Sequence, residues 1–359
     1  VDPPRDIVIV SYNAHNLFDD VDDGTEYPEF DPGSSSWNSE LYAKRLEKAA
    51  FAIRSPYPEA NSGPDILCLV EIENSKVLKD LASGALAQEG YQWSAIGGPE
   101  CSPIKCGILS RIPIVDVKSH GLVDAWGLGG GREILEACFE LGKAGFKTGA
   151  STSREASEDR QRLSLFLCHW KSRKEGAAVT EESRRASSRL VAARILERRA
   201  EDPDRLIVVC GDFNESPDEF ARIASAYPTA FMPSTTLSAE NKTIPASWFD
   251  GVLRIADSPD AIFDLDGSAT VYSPWAGVEG YSYVFQGEKE RLDGFLLGAS
   301  FFDGKSYEFR DFRVGTSPEL MAEDGSPLGW NGSNGYSDHL PIALKIAPIL
   351  YSRGDFMDK

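Results

Sequence analysis

The chain has 359 residues, 42% of them hydrophobic, with 37 lysines and arginines against 56 aspartates and glutamates, for a formal net charge of −19. That length accommodates one large domain or two ordinary ones, and the apolar content is ample for a sizeable core. The acidic balance argues against broad attraction to polyanions, so an anionic ligand has to be drawn by bound cations or a few arginines.

The first strand is predicted over Asp6–Asn13, with His15 and Asn16 just beyond it. The opening Val-Asp-Pro-Pro-Arg-Asp has no apolar h-region, so the chain reads as a trimmed or mature form with any export signal out of view. Asp19–Asn38 is acidic and rich in Gly, Pro and Ser, a loop, and Leu41–Arg54 is a helix. Asp65–Glu71 is an apolar strand that ends abruptly in an acid; strand alternation puts Glu73 on the face of Glu71, as a weaker rival. A helix over Lys76–Gln88 and strands over Lys105–Ser110, Ile134–Leu141 and Arg162–Trp170 follow, the last two separated by the polar loop Gly142–Asp159. The clearest helix is Thr180–Ala200, with Thr180 as N-cap and Leu190, Ala193 and Leu196 along one side. Its arginines at 184, 185, 189, 194, 198 and 199 read as a solvated face.

Leu206–Cys210 is a strand and Pro217–Ala226 a helix, and strands over Arg291–Leu297 and Leu340–Ile346 close the chain. Pro228–Ser282 shows no clear period and is expected to hold short elements. Strands and helices interleave throughout, which predicts one layered α/β domain over residues 1–359, with an insertion at about 228–282. No apolar run reaches the roughly 18 residues of a membrane span. The six cysteines do not make a disulfide scaffold; only Cys101 and Cys106, flanking a loop, are placed to pair.

Polar residues gather at the ends of apolar runs. Gly211-Asp212-Phe213-Asn214 follows a strand, so an acceptor and a bifunctional amide emerge together, able to orient a water and hold a phosphoryl oxygen; the same residues also suit a strand-to-helix turn. Glu71 at a strand end is a natural ligand for a hard cation such as Mg²⁺, and Asn13 adds an amide. Ser337-Asp338-His339 precedes the last strand, and a histidine acting there needs an orienting carboxylate, which Asp293 can supply. His169 ends a strand beside Lys171 and Arg173, as a phosphate contact or a capped, half-buried side chain. Arg132 follows Gly127-Leu128-Gly129-Gly130-Gly131, whose glycines permit close approach to a ligand but also suit a flexible loop. No Walker or dinucleotide-binding pattern is present.

Taken in order, "SYNAHNLFD" at 11–19, "PDILCLVEIEN" at 64–74, "GILSRIPI" at 107–114, "CHWKSR" at 168–173, "GDFNE" at 211–215, "RLDGFLL" at 291–297 and "SDHLPI" at 337–342 resemble the endonuclease/exonuclease/phosphatase superfamily. The resemblance implies a four-layered α/β sandwich, two packed mixed β-sheets flanked by helices (deoxyribonuclease I-like), acting as a metal-dependent hydrolase of phosphoric esters. It implies metal ligation by Asn13, Glu71 and Asp338, with Mg²⁺ the expected ion and Mn²⁺ or Ca²⁺ as substitutes. It implies catalytic roles for His169, Asp212, Asn214, Asp293 and His339, and substrate contact by Arg132. The early "YNAHNLFDD" resembles bacterial members that are often exported, which keeps export with removal of the signal among the open compartments; a monomer is the expected state. An endonuclease acting on nucleic acid is the first reading. A phosphatase or phospholipase C-type enzyme on inositol phosphates or sphingomyelin is the alternative, weakened for inositol phosphates because "ERLDGFLL" replaces a "PAWCDR"-type segment. A non-catalytic binding protein on the same fold is the third.

Overall fold

The computed structural model describes residues 4–33, 35–59, 63–122, 132–142, 160–235, 244–263 and 267–349. In chain order the strands begin with β1 (Ile7–Leu17), β2 (Ile66–Ile72), β3 (Trp93–Gly97) and β4 (Lys105–Ser110). Then come β5 (Ile114–His120), β6 (Ile134–Gly142), β7 (Arg160–His169) and β8 (Leu206–Asp212), followed by the short β9 (Phe231–Pro233), β10 (Leu253–Ala256) and β11 (Thr270–Tyr272). The hairpin β12 (Tyr283–Phe285) and β13 (Glu288–Glu290), then β14 (Asp293–Leu297), β15 (Tyr307–Val314) and β16 (Ile342–Pro348), complete the set. Helices α1 (Ser39–Arg54), α2 (Ser75–Ser83), α3 (Ala177–Glu201) and α4 (Glu219–Arg222) lie between them.

Six strands form one mixed sheet in the order β15-β16-β1-β2-β4-β3, and eight form a second in the order β5-β6-β7-β8-β14-β11-β10-β9. Alternation along each strand explains why the sheets pack face to face. Ile66, Cys68 and Val70 of β2 bury against Leu163, Leu165 and Leu167 of β7 and Val208 and Cys210 of β8. The opposite face of the first sheet, including Leu67 and Leu69, is covered by Tyr42, Leu46 and Ile53 of α1 and Leu78 and Leu81 of α2. The outer face of the second sheet, including Phe166, Ile207 and Val209, packs on Val191, Ala192 and Ile195 of α3. The four-layered α/β sandwich expected from the sequence is the fold observed.

Several local expectations are corrected. Helix α3 starts at Ala177, with Gly176 as cap, and Thr180 lies inside it, donating from Oγ1 to the Gly176 carbonyl at 2.9 Å. Its buried side is not Leu190, Ala193 and Leu196 but Val191, Ala192 and Ile195 together with Arg184, Arg185 and Arg198. Those arginines are therefore not a solvated face. Arg184 bonds Glu181 and Glu215, Arg185 donates to the Thr229 and Trp248 carbonyls, and Arg198 grips Glu136 with two nitrogens. The helix expected over Pro217–Ala226 shrinks to α4, because Ala224 and Ser225 both take positive φ, 51° and 56°. The unperiodic stretch 228–282 supplies β9, β10 and β11, strands too short to leave a period in sequence. Cys101 and Cys106 are free thiols, one exposed and one buried. The loop residues 143–159 and the glycines at 127–131 lie outside the described residues.

Candidate active site

The site sits where both sheets end. In the second sheet β8 pairs in parallel with β7 and antiparallel with β14, and the register sets His169 opposite Asp212 on one side and Asp293 opposite Asp212 on the other. Three chemistry-bearing residues therefore stand abreast on three strands. Gly211 makes this possible: its φ is +127°, and a Cβ there would sit 1.9 Å from the Cys168 carbonyl oxygen.

In the first sheet a bulge aims Glu71. Asn13 pairs with Val70 and Leu17 with Ile72, so Ala14, His15 and Asn16 oppose Glu71 alone; on the other flank Val70 and Ile72 pair with the consecutive Cys106 and Lys105. Glu71 has φ +58°, and His15 and Asn16 have +52° and +59°. The extra residue interrupts alternation: Ile72 falls on the helix-facing side with Leu67 and Leu69, and Glu71 is freed to turn into the cleft. Glu73, expected to share its face, is instead fully buried and accepts the Asp19 N–H at 2.6 Å. Arg45 holds the bulge from beneath, donating to the Ala14 and His15 carbonyls at 2.6 and 2.9 Å and to that of Tyr336. Burial pushes its guanidinium down to about 10, still cationic at neutral pH.

The two edges meet through Asn13. Its Nδ2 donates to Glu71 Oε1 at 3.2 Å and to Asp212 Oδ2 at 3.1 Å, while its Oδ1 accepts the His15 N–H at 2.9 Å. The Asn16 N–H donates to Glu71 Oε2 at 3.1 Å. His169 Nε2 lies 3.3 Å from Glu71 Oε1 and 3.7 Å from Asp212 Oδ2. His339 Nδ1 bonds Asp293 Oδ2 at 2.7 Å, and its Nε2 faces the same Asp212 Oδ2 at 4.0 Å. The other Asp212 oxygen accepts the Asn214 N–H at 2.8 Å. The Asn214 Nδ2 donates to the Trp170 carbonyl at 3.2 Å, and Arg132 donates to that carbonyl at 2.8 Å.

Burial dominates the electrostatics, and the charges sort the groups. Burial alone would raise the Glu71 carboxyl, but its bond to His169 and the charges of His169, Arg132 and His339 hold it well below the ordinary carboxylate range. His169 is pushed down by burial and by Arg132, against the pull of Glu71. Burial opposes protonation of His339 as well, yet Asp293 overrides it and raises that imidazole well above the ordinary range. Asp212 is raised, chiefly by burial and further by Asp293, with His339 and His169 opposing. The Glu71 carboxyl is held down, the His169 imidazole is lowered and the His339 imidazole is raised.

All nine residues singled out in the sequence fall at or beside this cleft, but not all in the arrangement expected. Asp338 lies against His15, Oδ1 to Nδ1 3.4 Å, with a half-exposed carboxylate. In this cleft, ligand atoms approach within 4.8 Å of one another in Glu71, His169 and Asp212, and in Asp212, Asp293 and His339. Asn13 turns its NH₂, not its oxygen, toward the carboxylates. Sequence reasoning missed Arg45 and Tyr283, whose ring lies 4.6 Å from that of His339, and it gave Gly211 no part in positioning the site.

A model described as endonuclease/exonuclease/phosphatase family matches residues 8–226. The chain belongs to this family. A search of curated proteins finds no match. Among solved structures, the endonuclease/exonuclease/phosphatase from Bacteroides vulgatus is 14% identical, with 96% of this chain and 99% of that one covered, at TM-score 0.50. The human Nocturnin catalytic domain, solved with bound sulfate, is 15% identical over 96% and 94% of the two chains, at TM-score 0.50. The D. rerio TDP2 complexed with single-strand DNA product is 13% identical over 95% and 98%, at TM-score 0.50. At these identities the likeness concerns the fold shared by the family. Members of the family are usually hydrolases of phosphoric esters and generally use divalent metals.

Proposed function

We propose that this chain is a metal-dependent phosphodiesterase that hydrolyses nucleic-acid phosphodiester bonds by in-line attack of water. The observation that carries the reading is the meeting of two imidazoles of opposite character on one carboxylate oxygen, with His169 and His339 at 3.7 and 4.0 Å from Asp212 Oδ2. Phosphoryl transfer to water needs a group to take a proton from the nucleophile, and charge of opposite sign for the phosphoryl and leaving oxygens. Asp212, raised toward a useful basicity and fixed by the Asn214 N–H and Asn13 Nδ2, orients the water and accepts its proton. The water oxygen forms the new bond to phosphorus as the P–O bond to the leaving group breaks. His339, kept protonated by Asp293, gives its proton to the leaving oxygen. His169 and Arg132 face the developing charge on the phosphoryl oxygens. No covalent intermediate is needed.

The donor set suits a hard cation. Glu71 is held well below the ordinary carboxylate range, and its Oε1 and Asp212 Oδ2 both accept from Asn13 Nδ2, with His169 Nε2 3.3 and 3.7 Å away. Glu71, with Asp212 and His169 beside it, would hold Mg²⁺, and a bound cation supplies charge neutralisation at the phosphoryl oxygens. Asn13 would join as a ligand only by turning its amide, at the cost of the bond from the His15 N–H.

A single-strand DNA product bound to a protein of the same fold makes nucleic acid the first substrate to test. The full chain is incubated with supercoiled plasmid, single-stranded RNA, sphingomyelin and a panel of inositol phosphates, with Mg²⁺ or with EDTA, beside a His169→Ala variant. Plasmid or RNA cleavage that requires the metal and fails in the variant is the expected result. Turnover of sphingomyelin or an inositol phosphate alone would move the substrate assignment. No turnover of any substrate with Mg²⁺, Mn²⁺ or Ca²⁺ would sink the enzyme assignment.

A further inference from the structure

A second group of carboxylates, sharing no residue with the candidate active site, forms where the segment after β1 folds back on the end of β2. Asp23, Glu26 and Glu73 each bring an oxygen to within 4.8 Å of the others. Acidic loops often cluster without a ligand, but Glu73 is not a loop surface residue. It is 0% exposed, one oxygen is satisfied by the Asp19 N–H, and Oε1 has no hydrogen-bond partner. A buried carboxyl with one oxygen lacking a donor, beside the carboxylates of Asp23 and Glu26, is costly to ionise unless a cation completes it. The neighbouring lysines do not do so. Lys105 spends its ammonium on the Glu73 and Ser102 main-chain carbonyls at 3.0 and 2.8 Å, and Lys76 pairs with Asp20 and Asp80.

The partners across from Glu73 are also held in place. The Asp23 and Gly24 N–H groups donate to the two Glu26 oxygens at 2.5 and 2.8 Å, and Thr25 donates to Asp23 Oδ1 from both its nitrogen and its hydroxyl. We propose that Asp23, Glu26 and Glu73 form a calcium-type cation site, separate from the candidate active site, that ties the segment between β1 and α1 to the strand end carrying Glu71. The donors are all carboxylate oxygens, two of them on a short turn at the surface and one buried beyond the end of β2, which suits the adaptable, high coordination of Ca²⁺ better than the rigid octahedron of Mg²⁺. Imidazole and thiolate are absent from the group, which disfavours Zn²⁺. The tie has a structural consequence. Tyr27, next to Glu26, packs on Phe18 with ring centroids 5.2 Å apart, and Phe18 stacks on Phe30, so a cation at Glu26 would stiffen the whole turn.

The inference stands apart from the choice of substrate and is tested without activity. The full chain carrying Glu71→Gln, which silences cation binding at the candidate active site, is stripped with chelator. It is then titrated with Ca²⁺ and with Mg²⁺ by calorimetry and thermal melting. One Ca²⁺ per chain is expected, with a rise in Tm that grows with Ca²⁺ concentration. Adding Glu26→Gln or Asp23→Asn, both in the accessible turn, should weaken Ca²⁺ about tenfold or more, as loss of one charged oxygen ligand would. Glu73→Gln, checked for folding by circular dichroism, should abolish binding. No Ca²⁺ bound by the Glu71→Gln protein, binding unchanged by the Glu26 and Asp23 variants, or Mg²⁺ bound in preference to Ca²⁺ would each overturn the proposal.

Discussion

Gly211→Ala probes the joint that builds the candidate site. An alanine Cβ at this position meets the Cys168 carbonyl oxygen at 1.9 Å and the Cys168 nitrogen at 3.0 Å. Even a close C···O contact needs roughly 3.3 Å, so backbone must move by about 1.4 Å or the side chain must be accommodated by a φ other than +127°. Either route opens the ladder between β7 and β8 at the step that sets His169 beside Asp212. Overpacking and an unfavourable backbone each cost about 1–3 kcal/mol, giving a loss of roughly 4 kcal/mol. For a chain of 359 residues that lowers Tm by about 5 °C. A displacement on the order of 1 Å between a base and its partner costs about a hundredfold in rate. Urea and thermal unfolding measure the first effect, and hydrolysis of an activated phosphodiester at a temperature where the variant is fully folded measures the second. A variant with unchanged Tm and unchanged rate would show that the approach of Gly211 to β7 constrains neither the fold nor the site.

Three further perturbations test other parts. Asp293→Asn removes the carboxylate that holds His339 at 2.7 Å, and kcat should fall by about 10²–10⁴, with KM nearly unchanged and the near-ultraviolet spectrum retained. Arg132→Ala, which leaves the Trp170 carbonyl to Asn214 alone and removes a positive charge beside Glu71, should raise KM about tenfold with a smaller loss in kcat; an unaltered KM would remove Arg132 from substrate contact. Glu136 is buried between Arg198 and His120, and although burial opposes it, those two partners hold its carboxyl down to about 2. Its stabilisation is therefore complete above the unfolded carboxylate pKa of about 4.3 and is lost as pH falls toward 2. Glu136→Gln should cost about 1–3 kcal/mol at pH 7, because it leaves the Arg198 guanidinium with only the exposed Glu201 carboxylate, and should flatten the acid limb of the stability profile between pH 5 and about 2. Chemical denaturation across that range distinguishes the two chains.

The strands that carry the site were legible because their apolar runs end abruptly in Asn13, Glu71, His169 and Asp212, and a buried strand cannot end in such residues without placing them at a sheet edge. The second sheet's register could not be read, since nothing in "GDFN" says that Asp212 lies between His169 and Asp293. Helix α3 misled for a definite reason: its buried side is lined with arginines whose charges are answered by Glu215 and Glu136 and by loop carbonyls, partners remote in sequence. Glu73 misled because alternation was counted across a bulge that the sequence does not mark. Short strands such as β9 and β11, three residues each, have no period to find.

The bulge itself gives the last test, because backbone conformation rather than side-chain chemistry is what the sequence hides. His15, Asn16, Glu71 and Asn214 all take positive φ between 51° and 59°, and all four border the cleft. Left-handed backbone costs a non-glycine residue about 1–2 kcal/mol, least for asparagine, and persists here because Arg45 and the Asn13 amide hold the neighbouring carbonyls and N–H. At Asn16 the contribution to the site is the main-chain N–H that donates to Glu71 Oε2. Asn16→Gly keeps that donor and the conformation, so stability should change by less than about 0.5 kcal/mol and the rate should stay near wild type. Asn16→Val keeps the donor in formula but favours extended backbone, so it should cost about 2 kcal/mol and turn the N–H away from Glu71, lowering cation affinity together with rate. Equal behaviour of the two variants would mean that the Asn16 side chain, not its backbone, serves the site. Divergence in the predicted sense would show that Glu71 is aimed by strain stored in a strand and not by its own rotamer.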